Sequence, residues 1–398
     1  MNGQMKKLKE HFARLRRNVL KPASGFLKYD YVVPGGYYQE LWDWDGFFIS
    51  THLAGREVEN ARYYKNWVLN FLSAADDKGL APGCLTPKGP EKGHRLFQMK
   101  PLIAQGAELA SRLLKDYGWL SENYEKIKKV ATLRESTNYD AKYGLFFWDS
   151  AMQSGADNNP ALSNEPDKLR IFLSCDINAF QWREYVALER LAKECDKPEE
   201  AEEFRKKADA LLDAVNKHLW CEADGTLWNI RRDTGEYVKR VSYSNFVPLW
   251  AAMLPKENGR RMIKKYLWNE EHMLSKFGLR SLSKQDAIYN NINMIWPESN
   301  WQGPVWLIAN YFYFVGLMNY GFRTEAKHLV EMLTALLLKD IEKYDSMHEN
   351  YDAETGAPIA PSGQSAKGFH EAGFFGWNLL LEDMIEMLEG KENLLALQ

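Results

Sequence analysis

The sequence predicts an all-α fold, a toroid of helical hairpins, from three observations: helical spacing nearly throughout, buried-type helices alternating with amphipathic ones, and scarce strand alternation. Apolar residues recur three and four apart near 5–20, 40–52, 56–74, 100–117, 119–135, 176–195, 198–219, 245–253, 257–268, 302–319, 322–342 and 371–388. Helices that are apolar nearly all round belong to an inner layer, and one-sided helices to an outer one.

Taken in order, residues 1–33 form an N-terminal helical segment expected to pack on the remainder. Leu8, Phe12, Leu15 and Leu20 supply its apolar side, and Lys6, Lys7, Lys9, Arg14, Arg16, Arg17 and Lys21 a solvated basic face. The stretch holding Trp42, Trp44 and Phe47 is apolar nearly all round, as is the one holding Trp301, Trp306 and Tyr311, so both read as buried helices. Residues 198–219 carry Glu199, Glu200, Glu202, Glu203, Arg205, Lys206 and Lys207 and read as an outer helix. Leu329, Met332, Leu333, Leu336 and Leu337 lay one stripe along 322–342. The single strand signal pairs 227–230 with 237–241 across Asp233-Thr234-Gly235, at most a small β-hairpin. No low-complexity linker divides residues 1–398, which read as one domain. The longest irregular stretches, 81–98, 137–170, 276–300 and 343–370, are where a site is expected.

Composition narrows the function. Fourteen Trp, twenty Tyr and nineteen Phe make 13% of the chain, enough both for a core and for a sugar-stacking cleft. A net charge of −3 offers no basic field for nucleic acid or anionic lipid. Cys84, Cys175, Cys195 and Cys221 have neither paired spacing nor histidine partners, which fits free thiols in a reducing compartment and no zinc site. The N-terminus has no apolar leader and no segment is long enough to span a membrane, so a cytoplasmic protein is expected. The absence of a Gly-rich phosphate loop, a His-Glu-x-x-His motif or metal-ligand histidine spacing leaves no cofactor and no metal to expect.

Two segments place a carboxylic acid in an aromatic, amide-rich setting: Gln153-Ser154-Gly155-Ala156-Asp157-Asn158 and His348-Glu349-Asn350-Tyr351-Asp352. Two opposed carboxyl groups suffice to hydrolyse a glycosidic bond with inversion, one protonating the leaving oxygen and the other activating water. Each acid alone also fits a turn residue, and Glu342 competes with Glu349. The densest cluster, Pro34 to Phe48, leads from a turn into a helix presenting Trp42, Trp44 and Asp45. A carboxylate beside stacking rings is the usual means of gripping a polyol.

Together these segments resemble the trehalases and the related α-glucosidases that include processing α-glucosidase and bacterial mannosylglycerate and glucosylglycerate hydrolases, glycoside hydrolase families thirty-seven and sixty-three. The resemblance runs over roughly residues 34 to 380. Pro34-Gly35-Gly36 through Trp44-Asp45 is similar to the trehalase signature that opens Pro-Gly-Gly-Arg-Phe. Ser154 to Asn158 resembles the general-acid loop, Asp176-Ile177-Asn178-Ala179 the Asp-Leu-Asn-Ala helix start, and Trp301-Gln302-Gly303-Pro304-Val305-Trp306 the Trp-Arg-Gly-Pro-Val-Trp element. Glu349-Asn350-Tyr351-Asp352 with Thr355-Gly356 resembles the general-base segment, and Phe375-Gly376-Trp377-Asn378 the closing aromatic motif.

The resemblance implies a six-hairpin (α/α) toroid, an inverting exo-acting α-glycosidase, Asp157 as general acid and Glu349, in preference to Glu342, as general base. It implies a carboxyl separation of about 6.5–9.5 Å. Tyr38, Trp42, Trp44, Asp45, Gln98, Lys100, Asn158, Asp176, Trp301, Gln302, Trp306 and Trp377 are then the expected contacts to a small sugar substrate such as glucosylglycerate, mannosylglycerate or a trehalose- or kojibiose-type disaccharide. Three departures bear on substrate. Tyr37 and Gln302 stand where trehalases have arginines, and Gln98-Met99-Lys100-Pro101 replaces Gln-Pro-Pro. Lys100 suits either an anionic aglycone or a structural acid. A sugar epimerase using His94, His348 or His370 as proton shuttles, and a catalytically silent sugar-binding protein, are the rival readings.

Overall fold

A computed structural model describes residues 3–162, 170–295, 299–359 and 373–397. Fourteen helices fall within them: α1 (Gly3–Leu15), α2 (Asp43–Arg56), α3 (Arg62–Ala74), α4 (Ile103–Leu114), α5 (Leu120–Thr132), α6 (Arg134–Thr137), α7 (Ala151–Ser154), α8 (Cys175–Glu194), α9 (Pro198–His218), α10 (Tyr243–Trp250), α11 (Lys256–Met262), α12 (Leu307–Asn319), α13 (Arg323–Tyr344) and α14 (Leu380–Leu388). Each of the twelve stretches with helical spacing overlaps one of them. The single-turn helices α6 and α7 are too short to show a period.

Packing follows a closed order. α3 lies on α2 and α4, α4 on α8, α8 on α9 and α10, α10 on α12, α12 on α13 and α14, and α14 returns to α2. The division into two kinds of helix is physical. Every residue of α2 from Asp43 to Ala54 is buried, as is every residue of α12 from Leu307 to Leu317. In α9 only one side is buried: Ala201, Phe204, Ala208, Leu211, Ala214 and Val215. Phe48, Phe180, Trp250, Tyr311 and Phe312, contributed by α2, α8, α10 and α12, meet in edge-to-face and tilted contacts where these helices converge.

Three expectations need correction. The N-terminal segment is helical only to Val19: α1 buries Met5, Leu8, Phe12 and Leu15 against α13 and α14, and a short 3-10 turn follows. Pro22 and Gly25 break the pattern, Leu20 is exposed, and Leu20–Lys21 instead pairs with Tyr31–Val32. The basic face is partly paired, with Lys7 on Glu342, Arg14 on Asp345 and Arg16 on Glu382. Second, the stretch from 302 is not helical before Leu307, because Gly303-Pro304 cannot sustain a helix. Val305–Trp306 forms a strand opposite Asn350–Tyr351.

Third, β-structure exceeds one hairpin. The expected pair forms, with Asn229 opposite Val238 and Ile230 opposite Tyr237, and recruits Phe172–Leu173 as a third strand. Five further small sheets of two or three strands occur among the described residues, joining loops between helices. No described helix is long and apolar enough to cross a membrane.

Candidate active site

The helix packing gathers several helix starts at one end. Trp42 is the N-cap of α2, Lys100 lies three residues before α4, Trp306 is the N-cap of α12, and Trp377 lies three residues before α14. Between them opens a cavity of about 200 Å³ whose lining includes both Asp157 and Glu349. The two acids, far apart in sequence, therefore face one space. Glu342 does not line it; it is half-exposed on α13 and paired with Lys7.

Local structure explains how the acid loop is held. Ser150 caps α7 by accepting the Gln153 N–H, and Gly155 ends it in the left-handed region, at φ +85. A Cβ on Gly155 would lie 2.8 Å from Trp44 Cζ2 and 2.9 Å from Lys100 Cε, so only glycine lets the loop approach this wall. Two residues on, Asp157 is partly exposed to the cavity, and its Oδ2 accepts the Ser299 hydroxyl at 2.7 Å. Burial lifts its carboxyl to about 6, against the lowering pull of Ser299 and of Lys100. Asn158 secures the loop from behind, Oδ1 accepting the Trp301 N–H at 2.6 Å and Nδ2 donating to Asn300 Oδ1 at 3.1 Å.

Glu349 is buried and its Oε2 accepts the Tyr38 hydroxyl at 3.2 Å. Its backbone is fixed from both sides. Asp340 of α13 accepts the His348 N–H, the His348 ring and the Tyr351 hydroxyl at 2.7–2.9 Å, while Asn378 Nδ2 donates to His348 O at 2.8 Å. Pairing of Asn350–Tyr351 with Val305–Trp306 sets Glu349 next to the Trp306 wall.

A third acid, Asp45, lies in the first turn of α2. Burial pushes its carboxyl well above the ordinary range, with Lys100 pulling it down and Asp43 and Asp157 pushing it up. Trp44 and Trp377 stand edge to face at 5.4 Å and form an aromatic floor. Lys100 serves a structural acid while it lines the cavity. Its N–H and Nζ both donate to Asp43, at 2.8 and 3.1 Å, and the ammonium sits 4.9 Å above the Trp44 ring.

Of the sequence-predicted contacts, Tyr38, Trp42, Trp44, Asp45, Gln98, Lys100, Trp306 and Trp377 line the cavity. Gln98 does so with its amide engaged by the backbone, Oε1 accepting from Ala81 and Nε2 donating to Val130 O. Four are displaced from it. Trp301 is buried behind Trp306, stacked at 4.4 Å, and Gln302 is joined to Asn290 and to Asn158 O. Asn158 bolts the acid loop, and Asp176 is wholly buried at the start of α8, its Oδ1 accepting the Ile177 N–H. Lining residues that sequence reasoning missed include Asp43, Phe97, Met152, Ser299 and Phe374, and His94, weighed only as a shuttle of the rival epimerase, lines the cavity too. Asp43 was within reach, since it sits inside the Trp42–Asp45 cluster; Ser299 gave no signal. Among the described residues no three His, Cys, Asp or Glu side chains are arranged to hold a metal ion.

Comparison with known proteins gives consistent relatives. The profile of the mannosylglycerate hydrolase MGH1-like glycoside hydrolase domain matches residues 37–377. The mannosylglycerate hydrolase of Rubrobacter radiotolerans is 25% identical over 190 residues, 47% of this chain and 38% of that protein. The mannosyl-oligosaccharide glucosidase of Saccharomyces cerevisiae is 22% identical over 311 residues, 71% of this chain and 35% of that protein. The matched part is thus little more than a third of each of these two proteins. A crystal structure of a family 63 mannosylglycerate hydrolase from Thermus thermophilus in complex with Tris superposes with TM-score 0.69 at 18% identity, covering 95% of this chain and 99% of that one. The fold is shared at that level.

Proposed function

The chain belongs to the family of mannosylglycerate hydrolase MGH1-like glycoside hydrolase domains, and from that premise we propose that it is an inverting, exo-acting α-glycosidase on a six-hairpin (α/α) toroid. The closed packing order of α2, α3, α4, α8, α10, α12 and α14, with α9 packed on α8 and α13 on α12, supports that architecture. We read residues 1–398 as one catalytic domain with 1–33 packed upon it. The observation that carries the reading is that Asp157 and Glu349 line one cavity, one with its carboxyl lifted to about 6 and the other holding a tyrosine hydroxyl.

In this mechanism Asp157 acts in its protonated form, which burial favours up to a pH of about 6, and donates to the glycosidic oxygen. Glu349 takes a proton from water on the opposite face of the sugar. Asp45 accepts sugar hydroxyls, Trp44 and Trp377 stack on the C–H face, and Trp42, Tyr38 and Trp306 close the sides. The substrate is a small α-linked glycoside, of the glucosylglycerate, mannosylglycerate or trehalose and kojibiose type. Four free thiols fit a cytoplasmic setting. An epimerase would put a ring of histidine or lysine shuttles at the sugar. His94 is the single histidine among the described lining residues, His348 is bound to Asp340, and His370 lies outside the described residues.

The test is release of reducing sugar across those glycosides. Wild type should turn over at least one of them. Asp157→Asn and Glu349→Gln should each lose at least about a hundredfold, the usual scale for removing general acid–base catalysis, with unchanged circular dichroism. Near-wild-type rates in either variant would remove that residue from its role.

A further inference from the structure

We infer that, among small α-linked glycosides, the leaving-group side of this cavity favours an apolar aglycone, an alkyl or aryl group, over the glycerate or second sugar of the substrates named above; the inference rests on the glycosidase reading and revises only its aglycone. The cavity grades from a deep end to an open one. Asp45, Lys100, Trp44, Trp306 and Trp377 are all buried. Met152, 38% exposed, and the half-buried Phe97, His94 and Ile295 line the open end.

Two of these apolar groups are tied to the acid. Met152 belongs to α7, whose glycine cap leads directly to Asp157. Ile295 exchanges both backbone hydrogen bonds with Ser299 at 2.9 Å, and Ser299 is the residue whose hydroxyl reaches Asp157 Oδ2. A general acid protonates the bond on the side where the aglycone departs. The surface around that departure therefore includes thioether and hydrocarbon from Met152 and Ile295, beside the polar Gln153 and Ser299.

The same segments expose more of it: Leu96 is 75% exposed, Ile292 66% and Met294 50%. These three lie close in sequence to the lining residues Phe97 and Ile295 and do not themselves line the cavity. Met side chains adapt to irregular apolar partners. The charges argue the same way. Lys100 is the single Lys or Arg among the described lining residues and is engaged by Asp43, while Asp43, Asp45, Asp157 and Glu349 put four carboxyl groups around the space. A carboxylate-bearing aglycone meets no uncommitted lysine or arginine among these lining residues.

The test holds the leaving-group chemistry nearly constant and varies its apolar area, using methyl, butyl and hexyl α-D-glucosides and α-D-mannosides. With wild type, kcat/KM should rise at least about tenfold from methyl to hexyl, since each buried methylene contributes severalfold. Met152→Ser and Ile295→Thr, made separately so that one folded variant suffices, should narrow the hexyl-to-methyl ratio toward one. A flat ratio in wild type, or a preference for glucosylglycerate over hexyl glucoside, overturns the inference and leaves the glycosidase reading standing. If no glycoside is hydrolysed, the glycosidase reading fails instead. Calorimetric binding of hexyl against methyl glycosides then decides the apolar wall: tighter hexyl binding supports it and equal affinity overturns it.

Discussion

Asp157→Asn should stabilise the folded chain at pH 8 while it removes turnover. The native carboxyl stands at about 6 against an ordinary value of 3.8, and burial is the leading cause. A carboxyl with its folded pKa raised binds a proton more readily in the native state than in the unfolded one. Its contribution to stability is therefore full below pH 3.8 and declines as pH climbs through about 6. The gap of 2.2 converts at about 1.36 kcal/mol per pH unit to about 3 kcal/mol, and water in the cavity trims that to roughly 2–3 kcal/mol. An asparagine carries no such charge and keeps an oxygen that can accept the Ser299 hydroxyl. At about 2.1 cal/mol/K per residue, 398 residues give an unfolding entropy near 0.8 kcal/mol/K, so the gain is about 3 °C in Tm at pH 8. At pH 5 the native acid is still mostly protonated, and the gain should be about half as large. Differential scanning calorimetry at both pH values reads it. A variant that loses stability at pH 8, or gains equally at both, refutes the argument that burial penalises the charge on this carboxyl.

Activity and loop geometry give two further expectations. If Asp157 donates the proton, kcat/KM should fall as pH rises above about 6, approaching tenfold per pH unit, in a rate profile measured to pH 8.5. A profile level to pH 8 would rule it out as donor. Gly155→Ala should cost about 1–3 kcal/mol and lower kcat, because the residue sits at φ +85 and its new methyl meets Trp44 and Lys100. Wild-type Tm and kcat in that variant would show that the close approach does not hold the acid loop.

Much of the fold was legible because long amphipathic and all-apolar helices write their period into the chain; α8, α9 and α13 agree with their sequence signals within two residues at each end. The strands were not, since two- and three-residue pairings such as Leu41–Trp42 with Cys84–Leu85 are shorter than any alternation. At the site, residues in helix first turns could be read from their motifs, because a first turn places consecutive side chains at one end of the bundle. Extended segments hid more. Along Trp301 to Trp306 the chain turns through Gly303-Pro304, so Trp306 faces the cavity while Trp301 stacks behind it. By spacing alone Asp157 and Glu349 read as turn residues, and only the resemblance of their segments singled them out. What brings them together is tertiary: Asn158 reaching Trp301, Asp340 gathering His348 and Tyr351, and α14 closing on α2. Ser299 and Met152 became visible only through that closure.

The anomer released first is the most direct reading of two acids acting from opposite faces of one sugar. Proton NMR within the first minutes of hydrolysis of an α-linked substrate by wild-type protein should show the β-anomer appearing first and mutarotating afterwards to the equilibrium mixture. Initial release of the α-anomer would contradict the account, because retention requires a covalent intermediate that a water-activating Glu349 does not form.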